Sequence, residues 1–293
     1  MKRVAPIVLI ALSGILFSCN HADKHNEPVK AGKVKIDNQG VNIEYDDTGK
    51  GDTALLFIHG WGINKTYWTE QTAFFSKKYR VVAIDLPGFG TSGKNRKDWS
   101  VEAYGKDISA VIAALDLKHV ILVGHSMSGA IVVESALQNP DRVIGIVGVD
   151  NFKDFGWEPT PKSKTEAEQV YQSLRTDFTE NVSSYVNRAL FSPSTDSAVR
   201  KRVLGDILHS DSVIAVDCLQ QGDQYPLKQK TISMKKPVFL VNSDFFPTDT
   251  AAFTKNNVPY HLFNMGPTGH YPMNEKPDDF NRLLEEAIAK MKN

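Results

Sequence analysis

Five short apolar runs, separated by helical patterns, are the feature that most constrains the fold of this chain. They cover residues 54–58, 80–84, 120–123, 143–149 and 237–241. Runs of this length, rich in β-branched residues and bounded by Gly, Pro or Asp, are typical of strands buried on both faces. Helical spacing lies between them. The alternation predicts an α/β fold with a mostly parallel, doubly wound sheet.

The alternation breaks between residues 151 and 233, where the chain is polar and favours helix. We therefore predict a sheet domain made of residues 33–150 and 234–293, with a helical cap, residues 151–233, inserted into it. The alternative is that these helices simply continue the wound fold. Residues 34–36 and 41–45 alternate with period two around Gln39-Gly40, which predicts a leading β-hairpin.

The N-terminus resembles a bacterial lipoprotein signal. Lys2 and Arg3 precede an apolar stretch, residues 4–17, which is short for a membrane span and ends just before Cys19. We predict a signal peptide over residues 1–18, lipidation of Cys19 and a polar tether over residues 19–32. This places an exported protein at the bacterial cell envelope, bound to a membrane by its lipid. A plain signal peptide with an incidental cysteine is the alternative.

Charge and cysteine content exclude some classes of partner. The 34 basic and 34 acidic residues balance, whereas nucleic-acid binders are normally basic. No Cys/His cluster has zinc-ligand spacing, so no metal and no cofactor is expected. The second cysteine, Cys218, is expected to be a buried apolar residue.

Three short motifs follow the predicted strands. HGWG, residues 59–62, follows the first run, and its glycines suit a turn whose N–H groups face a cleft. GHSMSG, residues 124–129, follows the third run and has two serines, Ser126 and Ser128, in an ambiguous register. A histidine, His270, lies in GHY near the C-terminus. Carboxylates that could orient it follow the fourth and fifth strands.

In this order the motifs resemble those of the α/β-hydrolase superfamily. The resemblance covers residues 33–293 and is carried by FIHGWG, IDLPGFGTSG, ILVGHSMSG, VFLVNSD and GPTGHYPMNEKPDDF. It implies a Ser-Asp-His hydrolase with a helical cap. Ser126 matches the nucleophile, and His270 matches the general base. The backbone N–H groups of Trp61 and Met127 match the oxyanion hole, and both residues would line the substrate pocket.

The chain departs from the family pattern at two positions. Ser128 replaces the usual glycine two residues after the nucleophile, where a small residue lets helix and strand pack closely. The acid loop, Asn242-Ser243-Asp244, is shorter than usual. Asp244 is favoured as the triad acid, with Asp150 and Asp249 as alternatives.

The resemblance favours hydrolysis of a carboxylic ester or a related acyl bond in a small molecule. An acyltransferase, a cofactor-free perhydrolase and a non-catalytic small-molecule binding protein are the alternatives. Aromatic residues of the cap predict either an apolar acyl pocket or the cap's own core, and the second is favoured for most of them. They are Phe152, Phe155, Trp157, Tyr171, Phe178, Tyr185 and Phe191.

Replacing Cys19 by serine removes the predicted lipid attachment point. We expect Cys19→Ser to release the protein from the membrane fraction of its host, measured by fractionation and immunoblotting. Cys218→Ser serves as the control, because it leaves the signal intact. Unchanged membrane association of Cys19→Ser would contradict the lipoprotein prediction.

Overall fold

A computed structural model describes residues 34–291 of the chain. The predicted signal peptide, Cys19 and the tether lie outside the described residues. Within residues 34–291, none of the helices has the length and apolar character needed to cross a membrane.

The predicted leading hairpin is present. β1 (Ile36–Asn38) pairs antiparallel with β2 (Val41–Ile43). The two residues between them, Gln39 and Gly40, have φ angles of 55° and 86°, as a two-residue hairpin turn requires. Alternation places Ile36, Val41 and Ile43 in the core.

Seven strands of the described chain form one sheet, in the spatial order β3-β5-β4-β6-β7-β8-β9. Only the edge strand β3 runs antiparallel to its neighbour, so the predicted mostly parallel sheet is confirmed. The strands are β3 (Tyr45–Asp47), β4 (Thr53–Ile58), β5 (Arg80–Ile84), β6 (His119–His125), β7 (Val143–Val149), β8 (Val238–Asn242) and β9 (Tyr260–Asn264).

Helices cover the sheet, as the spacing of apolar residues predicts. Ser100 caps α2, since its side chain accepts a hydrogen bond from the Ala103 N–H. α11 turns Phe280, Leu284 and Ile288 into the core. Within the described residues these helices are α1 (Thr69–Phe75), α2 (Val101–Ala114), α3 (Ser128–Gln138), α9 (Thr250–Lys255), α10 (Pro272–Glu275) and α11 (Pro277–Met291), with a 3₁₀ turn at Lys65–Trp68.

Helices alone lie between β7 and β8 in the described structure. They are α4 (Pro161–Thr176), α5 (Phe178–Ala189), α6 (Ser197–His209), α7 (Ser212–Gly222) and α8 (Leu227–Met234), and together we call them the helical insertion. Side chains of Thr160, Asp177, Asp196 and Asp211 cap the first four helices. A small core of Val182, Val186, Val203 and Ile207 is fully buried.

The register of the parallel strands determines which residues meet at the carboxyl edge of the sheet. Ile58 of β4 pairs with Gly124 of β6, and His125 of β6 pairs with Val149 of β7. Val149 in turn pairs with Val241 of β8. The residues that follow β4, β6, β7 and β8 therefore emerge side by side, where open α/β sheets place their ligand sites.

Candidate active site

Ser126 lies on a sharp turn between β6 and α3. Its φ angle is 54°, in the left-handed region that non-glycine residues seldom adopt. The turn is held by the Ser126 N–H, which donates to the Val149 carbonyl at 3.0 Å, and by the Gly129 N–H, which donates to the Ser126 carbonyl at 2.9 Å. This geometry lifts the Ser126 side chain out of the core and leaves it partly exposed.

Ser128 has a different environment. It is fully buried, and its hydroxyl donates a hydrogen bond of 2.5 Å to the carbonyl of His59. That bond joins the first turn of α3 to the loop after β4. The second serine of GHSMSG therefore ties together two loops of the site, a contact that glycine at this position would lack.

The loop after β4 packs directly on the Ser126 turn. A Cβ atom on Gly60 would lie 2.6 Å from His125 Nδ1 and 3.0 Å from the Cβ of Ser126, so only glycine fits. His59 is fully buried and bridges two loops: its Nδ1–H donates to the Gly60 carbonyl, and its Nε2 accepts from the Leu86 N–H. Trp61 is anchored to the helical insertion, since its indole N–H donates to the Ala215 carbonyl at 2.8 Å.

His270 faces Ser126 and is held by its backbone from two sides. Its N–H donates to the Leu190 carbonyl in the insertion, and its carbonyl accepts from His125 Nε2 at 2.7 Å. Its ring joins two side chains. Nε2 lies 2.7 Å from the Ser126 hydroxyl, and Nδ1 lies 2.6 Å from Asp150 Oδ2. Since a carboxylate only accepts, Nδ1 carries the proton and Nε2 accepts from Ser126.

Asp150 is the carboxylate that contacts the histidine. It follows β7 directly, with a left-handed φ of 48°, and its side chain is 3% exposed. Burial alone would raise the pKa of this carboxyl. The hydrogen bond and charge of His270, together with Lys153, outweigh burial and hold the pKa well below its usual range. Asp150 is therefore an anion at neutral pH.

The preference for Asp244 as the histidine's partner is wrong in this geometry. Asp244 is exposed, and its backbone N–H donates to the Gly266 carbonyl. Asp249 caps α9 through the N–H groups of Ala251 and Ala252. β7 and β8 are neighbours, so both strand ends reach the same edge. The left-handed turn at Asp150 directs that carboxylate to His270, while Ser243, beside Asp244, donates to Asp150 Oδ1.

Asn151 and Lys153 support the site and lie outside the motifs that the sequence analysis identified. Asn151 Nδ2 donates to the carbonyls of Gly124 and Ser126, and Asn151 exchanges hydrogen bonds with Asn242. Lys153 Nζ contacts Asp150. The only feature of the sequence that points to these residues is that they lie close to Asp150 in the chain, and it is informative only when Asp150 is taken as the acid.

A cavity of about 760 Å³ opens at Ser126 and His270 and runs under the helical insertion. Trp61 and Met127 line it beside the serine, as predicted for pocket residues. Its further wall is mostly apolar, with Arg188 and Asp223 as its charged members. The apolar wall includes Phe152, Val170, Leu174, Val182, Leu190, Leu219 and Leu227.

The aromatic residues of the predicted cap divide between pocket and core, except for Trp157, which is exposed. Phe152, Tyr171 and Tyr185 line the cavity. Phe155 stacks on Phe253 of α9 at 4.2 Å between ring centres, whereas Trp157 is 61% exposed. The remaining two cap aromatics pack beside the site: Phe178 lies near Trp61, and Phe191 lies near Tyr271. The prediction that Cys218 is buried is confirmed.

Comparison with known proteins identifies the family. A family model of the α/β-hydrolase fold matches residues 53–203, just over half of the chain. The chain belongs to the α/β-hydrolase family.

The resemblance extends over most of the chain in individual relatives. The chain is 27% identical to a 2-hydroxy-6-oxononadienedioate/2-hydroxy-6-oxononatrienedioate hydrolase of Burkholderia vietnamiensis, over 91% of this chain and 98% of the relative. Among solved structures, Est816, described as an N-acyl homoserine lactone degrading enzyme, has a TM-score of 0.74 at 23% identity over 86% of this chain and 99% of that chain. A thermophilic esterase from Thermogutta terrifontis has a TM-score of 0.76 at 20% identity, over 89% and 98%. The chain is thus an enzyme of the hydrolase type.

The hydrogen bond from Ser128 predicts a defect in catalysis when the hydroxyl is removed. Ser128→Ala leaves the buried His59 carbonyl without this donor, which costs about 1–3 kcal/mol, and loosens the loop that carries Trp61. We expect kcat to fall about tenfold with KM little changed, in steady-state assays on a p-nitrophenyl ester. Ser135→Ala is the matched control, because Ser135 is also buried in α3 and donates only to Ile131 of the same helix. Equal kcat values in the two variants would leave Ser128 as a spacer.

The lowered pKa of the buried His125 leads us to expect that the stability of the protein depends on pH. Burial, reinforced by the charge of His270, lowers its pKa to about 3 from an ordinary value of 6.5. Between these pH values the unfolded chain binds a proton at His125 that the folded protein does not. The contribution of His125 to the free energy of unfolding is therefore fully present above pH 6.5 and is lost as the pH falls. The loss from this group is about 2 kcal/mol at pH 5.

Urea unfolding at pH 7.5 and pH 5 measures the effect. His125→Gln keeps a donor for the His270 carbonyl and removes the titrating ring. Between pH 7.5 and pH 5, its free energy of unfolding should therefore fall by about 2 kcal/mol less than that of wild type. Parallel pH dependence in wild type and variant would contradict the assignment.

Proposed function

We propose that the protein is a serine hydrolase that cleaves a carboxylic ester or related acyl bond of a small molecule through an acyl-enzyme. The observation that carries the proposal is the chain of hydrogen bonds from Ser126 Oγ to His270 and from His270 to Asp150. A serine, a histidine and a buried carboxylate in this sequence of contacts form the constellation that activates a serine hydroxyl.

In the proposed reaction Ser126 Oγ attacks the acyl carbon as its proton passes to His270 Nε2. Asp150, which accepts from Nδ1, stabilises the imidazolium that forms. The proton then goes to the departing alkoxide, which leaves as an alcohol. Water, activated by His270 in the same way, releases the acid from Ser126 and restores the free enzyme.

The proposed oxyanion hole consists of the backbone N–H groups of Trp61 and Met127. Both residues line the cavity beside Ser126, and Met127 is the first residue after the serine and the N-cap of α3. Free N–H groups at a helix start favour a developing negative charge. Two features hold this pair together: the Ser128–His59 hydrogen bond and the anchoring of Trp61 on Ala215.

The cavity supports a small-molecule substrate with an apolar acyl part. Its volume of about 760 Å³ lies within the range of ordinary ligand pockets, and apolar side chains of the insertion form most of the distal wall. The relatives are named for a dienedioate, an acyl homoserine lactone and esters. Hydrolysis of an oxygen ester or lactone is the chemistry that agrees best with the serine-histidine-carboxylate arrangement.

The remaining parts of the proposal concern domains and location. Residues 33–150 and 234–293 would form the catalytic core, and residues 151–233 would form the cap that determines substrate choice. Lipidation of Cys19 would hold the enzyme at a membrane of the bacterial envelope, with residues 20–32 as the tether. No cofactor takes part in the proposed reaction.

A fluorophosphonate probe tests the nucleophile, and a panel of p-nitrophenyl esters of increasing acyl length tests the reaction. Wild type should bind the probe covalently and hydrolyse at least one ester, and Ser126→Ala should do neither. Labelling without turnover of any ester would favour a transferase or a perhydrolase. Absence of labelling in a folded wild-type protein would favour a binding protein.

Two aspartate variants test the identity of the acid. Asp150→Asn leaves the histidine without an anionic partner, and kcat should fall about 10³–10⁴-fold. Asp244→Asn is the matched control, since its side chain is exposed and the two ring nitrogens have Asp150 and Ser126 as partners, and it should keep kcat within about twofold of wild type. The reverse result would restore Asp244 as the acid.

A further inference from the structure

Lys153 lies three residues after Asp150, and its ammonium group has three oxygen atoms within 3.0 Å. Its Nζ is 2.8 Å from Asp150 Oδ1. It is also 3.0 Å from both the carbonyl and the hydroxyl oxygen of Ser243. The lysine side chain is 13% exposed, and that of Asp150 is 3% exposed. The ammonium group therefore has a fixed position against the carboxylate.

The two oxygens of Asp150 have separate partners. Oδ1 accepts from the N–H and the hydroxyl of Ser243, both at 2.9 Å, and it also contacts Lys153 Nζ. Oδ2 accepts from His270 Nδ1 at 2.6 Å. Rotation of the carboxylate would break the contacts that Oδ1 makes with Ser243 and Lys153. Lys153 and Ser243 thus hold Oδ2 in line with the imidazole.

The loop that carries these residues adopts an unfavourable backbone conformation. Asp150 and Phe152 both have left-handed φ angles, 48° and 54°, which cost non-glycine residues about 1–2 kcal/mol each. Such strain persists where surrounding contacts determine the conformation. The hydrogen bonds from Lys153 to Ser243 join this loop to the end of β8 and are among those contacts.

Lys153 is also a cation beside a histidine that must gain a proton during the proposed reaction. A positive charge near Asp150 opposes formation of the imidazolium, because it offsets part of the negative charge that stabilises it. Burial lowers the pKa values of His59 and His125 and raises the pKa of Tyr271, so these neighbours are neutral at pH 7. Among the further titratable groups, Glu275 accepts from the N–H of Gly269, next to His270, and Tyr185, Arg188 and Asp223 line the same cavity as the ring.

We infer that Lys153 is a positioning residue: it holds Asp150 in register with His270, and its charge extends the activity of the enzyme to lower pH. The inference rests on the proposed function, since it assigns a role within the same serine-histidine-aspartate chain. Lys153 does not touch the reacting atoms, and it is not among the residues that line the cavity. It acts on the histidine through Asp150.

Three variants at Lys153 separate the effect of its charge from that of its hydrogen bonds. Lys153→Met removes the charge and the donor, Lys153→Gln keeps a neutral donor, and Lys153→Arg keeps the charge. Lys236→Met is the control, because Lys236 is also half-buried but donates to the Val143 carbonyl at the start of β7, away from the site. The readout is the pH profile of kcat and KM on p-nitrophenyl butyrate.

The acidic limb of the kcat/KM profile should move to higher pH in Lys153→Met and Lys153→Gln, by about half to one unit. Lys153→Arg and Lys236→Met should keep the wild-type midpoint. At the optimum pH, kcat of Lys153→Met should fall roughly tenfold through misplacement of Asp150, and that of Lys153→Gln should fall less. KM should change little in either variant.

An unshifted midpoint in Lys153→Gln would overturn the inference about charge, and unchanged kcat in Lys153→Met would overturn the inference about position. If Lys153→Met does not fold, NMR titration of the His270 Nδ1 proton in Lys153→Gln gives the same answer without turnover. Failure of the proposed function is a separate result, since wild type itself would then neither hydrolyse the ester nor bind the fluorophosphonate probe.

Discussion

The left-handed backbone at Ser126 is the constraint on which the rest of the site depends. A non-glycine residue at φ 54° costs about 1–2 kcal/mol, and the fold supplies the contacts that hold it there. Val149 accepts from its N–H, while Gly129 and Asn151 donate to its carbonyl. These partners come from α3 and from the end of β7. The position of the hydroxyl is thus maintained by α3 and the end of β7 and not by the turn alone.

Glycines around this turn serve close packing. Gly60 brings the loop after β4 against Ser126, and a Cβ on Gly124 would lie 2.6 Å from the Ser128 carbonyl. Ser128 occupies a position where the family pattern has glycine, and its hydroxyl has become a tie to His59. The departure from the pattern is therefore accommodated by a hydrogen bond. It also connects the loop that carries Trp61 to the first turn of α3, two residues after Ser126.

The helical insertion does more than cover the cavity. The Leu190 carbonyl at the end of α5 accepts from the His270 N–H, and the Ala215 carbonyl in α7 accepts from the Trp61 indole. Both the proposed base, His270, and one proposed oxyanion residue, Trp61, are therefore anchored to the insertion. A change in its packing would alter catalytic geometry together with substrate access. This coupling distinguishes it from a lid that rests passively on the site.

The sequence by itself determined the five inner strands of the sheet and two residues, Ser126 and His270, that meet at its carboxyl edge. Apolar runs with helical spacing between them predicted the parallel sheet, because strands buried on both faces need apolar residues at every position. The motif after β6 identified Ser126, and the chain order identified His270. Local pattern was sufficient here, since a tight turn after a strand needs small residues close in sequence.

The tertiary structure alone decided which carboxylate meets the histidine. Asp150 and Asp244 each follow a strand, and each lies between Ser126 and His270 in the chain, so sequence order is the same for both. β7 and β8 are neighbours, and the choice depends on backbone direction just past their ends. Asp150 turns inward at φ 48° and is buried with Lys153, whereas Asp244 turns out to solvent. That direction is set by contacts between distant residues, such as the pairing of Asn151 with Asn242, which no local pattern in the sequence reveals.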